Sequence, residues 1–127
     1  MITWYAFAFS GQQLLKLNEQ YHLEHIYSKK RQEMEGGLKA EESLDSLGNK
    51  ILLEESINVK ASDYRFEDKK KIYTGENRRS KNNDVSKIAE VASIVELSEF
   101  GEEQIIQRSA SIIDEFFKFL EREDLVS

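Results

Sequence analysis

The chain has 127 residues, 39% of them hydrophobic, and these numbers suit one domain with a single buried core. It contains no cysteine, which excludes disulfide bonds, cysteine-ligated zinc and thiol redox chemistry. The net charge of -6 argues against a nucleic-acid partner, but residues 66–83 carry six basic and three acidic side chains, so a polyanion can still approach the middle of the chain.

The first half of the chain predicts one helix and two short strands. Residues 2–17 are rich in helix-compatible side chains, although their aromatic stretch also fits a strand. We predict a strand at Tyr21–Ile26, because this segment is short, partly alternating and bounded by polar residues, and a second strand at Lys50–Glu54, because it contains the apolar run Ile51–Leu53. Gly36-Gly37 breaks the chain between them, and a short helix is expected over residues 38–46. The N-terminal apolar run is too short to cross a bilayer and has no basic leader, which predicts a cytoplasmic protein.

The second half of the chain predicts helices. The pattern becomes helical from Ile57, breaks near Asp63-Tyr64 and resumes over Phe66–Tyr73. Residues 74–83 are polar and predict a loop, and two amphipathic helices follow it. The candidate caps are Asp84 for the first helix and Ser98 or Gly101 for the second. The apolar positions are Val85, Ile88, Ala89, Ala92 and Val95 in the first helix, and Ile105, Ile106, Ile112, Ile113, Phe116, Phe117 and Leu120 in the second.

These elements predict an α+β fold that is mostly helical, with a two-stranded antiparallel hairpin. We expect a single domain over residues 1–127. It would contain an N-terminal helix, a strand-loop-strand-helix core at about residues 21–73, and two C-terminal helices.

Four polar residues stand where the predicted strands and helix meet. Glu24 and His25 close the first strand, Asn49 precedes the second strand, and Asn58 begins the predicted helix. Because the strands pair antiparallel and the helix returns across them, we expect the four side chains to share one corner.

This set of side chains suits phosphodiester hydrolysis. A histidine with a pKa near neutrality can take a proton from water, which predicts His25 as a general base. The oxygens of Glu24 and Asn58 are the hard ligands that Mg²⁺ or Mn²⁺ accepts. Asn49 is expected to shape the loop by hydrogen-bonding backbone and so to orient His25. The side chains expected to contact phosphates are Lys60, Lys69, Lys70, Lys71, Arg78 and Arg79.

The same residues resemble a known motif. The segments that carry the likeness are Leu23-Glu24-His25-Ile26, Leu47-Gly48-Asn49-Lys50-Ile51-Leu52-Leu53, Asn58-Val59-Lys60, Lys71-Ile72-Tyr73 and Ile105–Arg108. They resemble the HNH-type (His-Me finger, ββα-metal) nucleases, and more narrowly the C-terminal nuclease domain of GmrSD-type modification-dependent restriction systems. The nine positions from Asn49 to Asn58 are also the spacing in the HNH domain of RNA-guided nucleases.

The resemblance implies a ββα-metal core and a metal-dependent DNA endonuclease of a restriction or defence system. By the same likeness, His25 is the general base, Glu24 and Asn58 are metal ligands, and Asn49 organises the loop. Ser28 stands where the family usually has a proline. The relatives also carry a large N-terminal domain, so a nucleotide-hydrolysing sensor subunit or a missing N-terminal domain is an expected partner, besides DNA.

Several alternatives remain open at this stage. The fold could be a degenerate nuclease kept as a binding or assembly subunit, or it could cut RNA, because no residue here reads the sugar. His25 could be a hydrogen-bonded structural histidine, and Asn58 could be a helix N-cap. Lys69–Lys71 could be a solvated helix face.

Overall fold

The computed structural model describes residues 1–9, 12, 20–75 and 85–123. Within these residues the protein has six α-helices and two β-strands. In chain order they are α1 (Ile2–Ala8), β1 (Tyr21–His25), α2 (Lys29–Glu35), β2 (Lys50–Glu54), α3 (Glu55–Ala61), α4 (Phe66–Tyr73), α5 (Ala89–Val95) and α6 (Glu102–Arg122), with single 3₁₀ turns at Glu41–Ser43 and Leu47–Asn49. The predicted mixed fold, mostly helical around an antiparallel hairpin, is confirmed.

The hairpin determines which side chains can meet. Strands β1 and β2 pair antiparallel, with His25 opposite Lys50 and Glu24 opposite Ile51. Side chains alternate between the two faces of a strand, so His22 and Glu24 lie on one face and Leu23 and His25 on the other. Neighbouring residues of β1 therefore point into different surroundings.

The core forms around β2. Ile51 and Leu53 are fully buried, and Ile57 and Ala61 bring the apolar side of α3 against the same cluster. Helix α6 adds Ile105 to this cluster. Helix α6 also packs against α1, where the Trp4 ring lies 5.3 Å from Phe116 and 5.2 Å from Phe119 between centroids.

Helix α6 packs closely on the 3₁₀ turn that precedes β2. The Gly48 amide donates a hydrogen bond to the Ser109 hydroxyl (2.8 Å). Arg108 Nη1 donates to the carbonyl oxygens of Leu47 (3.2 Å), Gly48 (2.9 Å) and Lys50 (2.6 Å), and its Nη2 pairs with the buried Glu90 carboxylate of α5. Burial raises the pKa of Glu90, and the Arg108 charge opposes this shift. One residue of α6 thus holds the turn and β2 together.

The structure differs from the predictions at several element boundaries. Helix α2 was not predicted, and the helix expected over residues 38–46 is only a 3₁₀ turn at Glu41–Ser43. The first helix ends at Ala8, and α5 begins at Ala89 rather than Val85. Residues 10, 11 and 13–17 of the predicted first helix, most of the loop over residues 74–83, and the proposed cap Asp84 lie outside the described residues. In the part of the chain that is described, no helix is long and apolar enough to span a membrane.

Glu102, the first residue of α6, ties this helix to the loop before β2. Its carboxylate accepts hydrogen bonds from the amides of Lys39 (2.8 Å) and Ala40 (3.1 Å) and from the Ser43 hydroxyl (2.7 Å). The Ser43 hydrogen bond is the largest cause of the lowered pKa of Glu102. Each of these donors favours the ionised carboxylate.

We predict that Glu102→Gln lowers the melting temperature at pH 7 more than Glu103→Gln in the same turn. Because the pKa of Glu102 is lower in the folded than in the unfolded chain, its contribution is present above its ordinary value of 4.5 and disappears as the pH falls through the lowered value. The gap between wild type and Glu102→Gln should therefore close in acid. Thermal unfolding between pH 7 and pH 3 measures this, and a gap that widens in acid would contradict it.

Candidate functional site

His25 lies at the end of β1 beside an aspartate. Its Nε2 is 3.0 Å from Asp45 Oδ1, and the two side chains are 37% and 75% exposed. The hydrogen bond with His25 is the largest cause of the lowered pKa of Asp45, and the charges of Lys50 and Lys29 act in the same direction. A solvent-accessible imidazole is thus oriented through one nitrogen by an ionised carboxylate, which leaves its Nδ1 available to accept a proton.

Asn49 holds the chain immediately after His25. It is fully buried, its side-chain oxygen accepts from the Tyr27 amide (2.7 Å), and its side-chain nitrogen donates to the carbonyls of Tyr27 (2.9 Å) and Leu44 (2.8 Å). Its own carbonyl accepts from the Ile26 amide (2.9 Å). These hydrogen bonds connect the 3₁₀ turn before β2 to the backbone that follows His25.

Glu24 lies on the other face of β1, in the core. It is 4% exposed, and its carboxylate accepts from Lys69 Nζ (3.1 Å) and from the Tyr73 hydroxyl of α4. Burial raises the pKa of Glu24, which the Lys69 charge opposes, and burial followed by the Glu24 charge raises the pKa of Tyr73 well above its ordinary range. Both carboxylate oxygens of Glu24 are therefore in use inside the protein.

Asn58 lies within α3 and does not begin it, because the helix starts at Glu55 with Glu54 in the cap position. This corrects both the predicted helix start and the N-cap alternative. The Asn58 amide nitrogen donates to His22 Nδ1 (3.2 Å), and His22 Nε2 is 4.0 Å from the Glu55 carboxylate. Asn58 thus contacts the other histidine of the chain.

The structure does not bring Glu24, His25 and Asn58 into one pocket. Strand alternation puts His25 on the face opposite Glu24, and Asn58 contacts His22 on the Glu24 face. A cation shared by Glu24 and Asn58 does not fit the arrangement, because Glu24 is buried and both its oxygens are hydrogen-bonded. Among the described residues, no three histidine or acidic side chains are grouped to hold a metal ion.

The basic residues predicted to contact phosphates differ in exposure. Lys69 is fully buried and cannot reach a phosphate in this structure, which corrects its assignment. Lys60 and Lys71 are exposed, whereas Lys70 is half-buried, donates to the Leu97 carbonyl (2.9 Å) and lies 5.2 Å from the centre of the Phe66 ring. Arg78 and Arg79 lie outside the described residues.

Sequence reasoning missed Asp45 and the two lysines whose charges act on it, Lys29 and Lys50. The pairing of His25 with Lys50 across the hairpin places Lys50 on the His25 face. An acidic residue four positions before Asn49 was the one available signal, since the loop that ends at Asn49 must return to the end of β1.

Most of the chain matches a protein-family model. The model for the C-terminal domain of GmrSD restriction endonucleases matches residues 3–115, which include both strands, both histidines and α4. No curated protein and no solved structure matches the chain. The family description connects the chain with restriction endonucleases. With its hairpin, its Glu-His strand end and its Gly-Asn turn inside the matched range, this chain belongs to the family of GmrSD restriction endonuclease C-terminal domains.

Proposed function

We propose that the chain is an endonuclease domain that hydrolyses DNA phosphodiesters in a restriction or defence system, with His25 as the general base. The single observation that carries this proposal is the half-exposed His25 ring, hydrogen-bonded through Nε2 to Asp45 at a strand end that lies inside the residues matched by the family model. An HNH-type, ββα-metal mechanism is the form of nuclease that the resemblance favours.

The proposed reaction uses the two ring nitrogens of His25 differently. With the Nε2 proton donated to Asp45, neutral His25 takes a proton from water at Nδ1 while the water oxygen bonds to phosphorus. The bond from phosphorus to the leaving oxygen breaks, and the leaving oxygen takes a proton from solvent. Asp45 favours the required tautomer and stabilises the imidazolium that forms.

Lysines near the His25–Asp45 pair supply positive charge for the substrate. Lys50 is directly across the hairpin from His25, and Lys29 begins the next helix and is exposed. Their charge would attract a phosphodiester backbone although the chain as a whole is acidic. Lys60 and Lys71 stay proposed as further phosphate contacts.

The requirement for Mg²⁺ or Mn²⁺ stays a prediction. The two expected ligands do not converge, because Glu24 is buried against Lys69 and Asn58 contacts His22. A nucleotide-hydrolysing sensor partner, which the resemblance implies, also stays a prediction. The same chemistry would cut RNA, so RNA belongs among the substrates to be assayed.

The test is nicking of supercoiled plasmid, with and without Mg²⁺ or Mn²⁺, by wild type, His25→Ala and His22→Ala. The chain has only two histidines, so His22→Ala is a matched control. We expect wild type and His22→Ala to nick and His25→Ala to lose at least 100-fold in rate, the lower end of what a general base contributes, roughly 100-fold to 10,000-fold. Equal rates for wild type and His25→Ala would refute the role of His25.

Asp45 provides a second prediction. Asp45→Asn should lower the nicking rate about tenfold, the lower end for residues that orient a catalytic group, because Asp45 is largely exposed. Long-range ¹H–¹⁵N spectra should show His25 protonated at Nε2 in wild type and a mixture of tautomers in the variant. Asp63→Asn, at another exposed aspartate, is the control. An unchanged tautomer in Asp45→Asn would show that Asp45 does not orient the ring.

A second candidate function is a degenerate nuclease fold used as a binding or assembly subunit. Two observations favour it. Glu24, an expected metal ligand, is buried in the core, and α6 exposes the apolar side chains of Ile106, Ile113 and Phe117 along one side, where a partner could bind. A folded wild-type protein that nicks neither DNA nor RNA with any divalent cation would support this candidate over the nuclease.

A further inference from the structure

The core beneath β1 contains a cluster of three ionisable side chains. Glu24 of β1 is 4% exposed, and Lys69 and Tyr73 of α4 are 0% and 1% exposed. Lys69 and Tyr73 are four residues apart, so they lie on the same side of α4 and both face the Glu24 carboxylate. Burying a lysine costs free energy unless its charge is paired and its donors are used.

Lys69 makes a second contact that reaches the proposed base. Its ammonium donates to the backbone carbonyl of His25 (2.8 Å) as well as to Glu24 (3.1 Å). On the other side of His25, Asn49 holds Ile26 and Tyr27 through their backbones. The peptide units around His25 are therefore held from α4 and from the 3₁₀ turn.

We propose that Glu24 and Lys69 form a buried anchor that positions His25, and that Glu24 is not a cation ligand. Lys69 fixes the carbonyl of His25, Glu24 fixes Lys69, and Tyr73 holds the second oxygen of Glu24. Both Glu24 oxygens accept hydrogen bonds inside the core, so a cation would reach them only by displacing Lys69 and Tyr73. The ring on the opposite face then keeps its approach to Asp45.

In this account Lys69 is a positioning residue, and Glu24 holds Lys69 in place and does not bind a cation. The proposal rests on the proposed function only where nicking is measured. The position of the His25 ring and the affinity for Mn²⁺ can be measured whether or not the protein cuts DNA.

The experiment compares wild type, Glu24→Gln, Lys69→Met and the double variant Glu24→Gln/Lys69→Met. The double variant leaves no unpaired charge in the core, so it keeps the test usable if Lys69→Met fails to fold. Each folded protein is assayed for Mn²⁺ affinity by electron paramagnetic resonance, for the His25 ring signals by nuclear magnetic resonance, and for kcat and KM in nicking. Glu67→Gln, at an exposed glutamate of the same helix, is the matched control.

If Glu24 and Lys69 are an anchor, the Mn²⁺ affinity of Glu24→Gln and of the double variant stays within twofold of wild type. If wild type binds no Mn²⁺, these variants bind none either. The His25 ring signals shift or broaden in the double variant and not in Glu67→Gln. In the double variant kcat falls about tenfold, the lower end for an orienting contact, with KM unchanged. A tenfold loss of Mn²⁺ affinity in Glu24→Gln would identify Glu24 as a ligand and overturn the proposal. Unchanged His25 signals in the folded double variant would overturn the positioning role.

The experiment also separates this proposal from the proposed function. A wild type that does not nick, with the spectra as expected, would refute the proposed function and would still support the anchor.

Discussion

Replacing Arg108 with methionine should destabilise the protein by about 3–5 kcal/mol, the usual cost of removing one partner of a buried ion pair. Arg108 is the partner of the buried Glu90 carboxylate and donates to three backbone carbonyls around the 3₁₀ turn before β2. Within the described residues the second oxygen of Glu90 already has no hydrogen-bond partner, so the variant would leave a buried carboxylate without compensation. Urea unfolding measures the loss.

Lys118→Met is the matched control for Arg108→Met, because both residues belong to α6 and both form ion pairs. Lys118 is exposed, and it pairs with Asp114 (3.1 Å) and Glu115 (3.5 Å) on the helix surface. Exposed pairs of this kind contribute little, so the control should unfold at nearly the wild-type urea concentration. Equal losses in the two variants would mean that the buried contacts of Arg108 do not stabilise the fold.

Gly48→Ala should destabilise the protein by roughly 3 kcal/mol, the upper part of the usual range for overpacking a core. A Cβ at Gly48 would overlap the backbone carbonyl oxygen of Ile105 and lie 2.8 Å from its carbonyl carbon. Because both atoms belong to the backbone of α6, the clash is relieved only if the helix moves away from the turn. The expected readout is a lower melting temperature together with changed amide signals of Asn49.

The control for Gly48→Ala is Gly101→Ser, at the N-cap of α6. A Cβ there meets nothing closer than 3.8 Å, and serine is a favoured N-cap residue. We expect the melting temperature of this variant to be unchanged or slightly raised. A Gly48→Ala protein as stable as Gly101→Ser would show that α6 does not pack on the turn as the structure indicates.

The sequence was sufficient to predict the hairpin because local patterns encode it. The apolar run at Ile51–Leu53 between polar residues identified β2 at its observed bounds, and the partly alternating segment Tyr21–Ile26 identified β1 to within one residue. Helix α2 was missed because it buries no residue and so has no apolar period. The sequence marks α2 only at its two ends, by a serine and a glycine. The Ser28 hydroxyl caps the start by accepting from the Arg31 amide (3.1 Å), and Gly36 ends the helix with a φ of 60°.

The candidate site was predicted only in part, because its contacts join residues far apart in the chain. The sequence of β1 shows Glu24 and His25 as neighbours. Because side chains alternate along a strand, the sequence also predicts that the two lie on different faces. What occupies each face depends on tertiary contacts: Lys69 reaches Glu24 from 45 positions away, and Asp45 reaches His25 from 20. No local period marks either pairing. Asn49 also reaches across 22 positions to the backbone of Tyr27, and its loop-organising role stays a prediction.

The most direct test of the central claim is chemical rescue of His25→Gly by added imidazole in the plasmid-nicking assay. If the His25 ring is the proton acceptor, the variant should be inactive alone and should regain activity in proportion to the concentration of neutral imidazole. A His25→Gly protein that nicks plasmid at the wild-type rate without imidazole would contradict the assignment of His25 as the base.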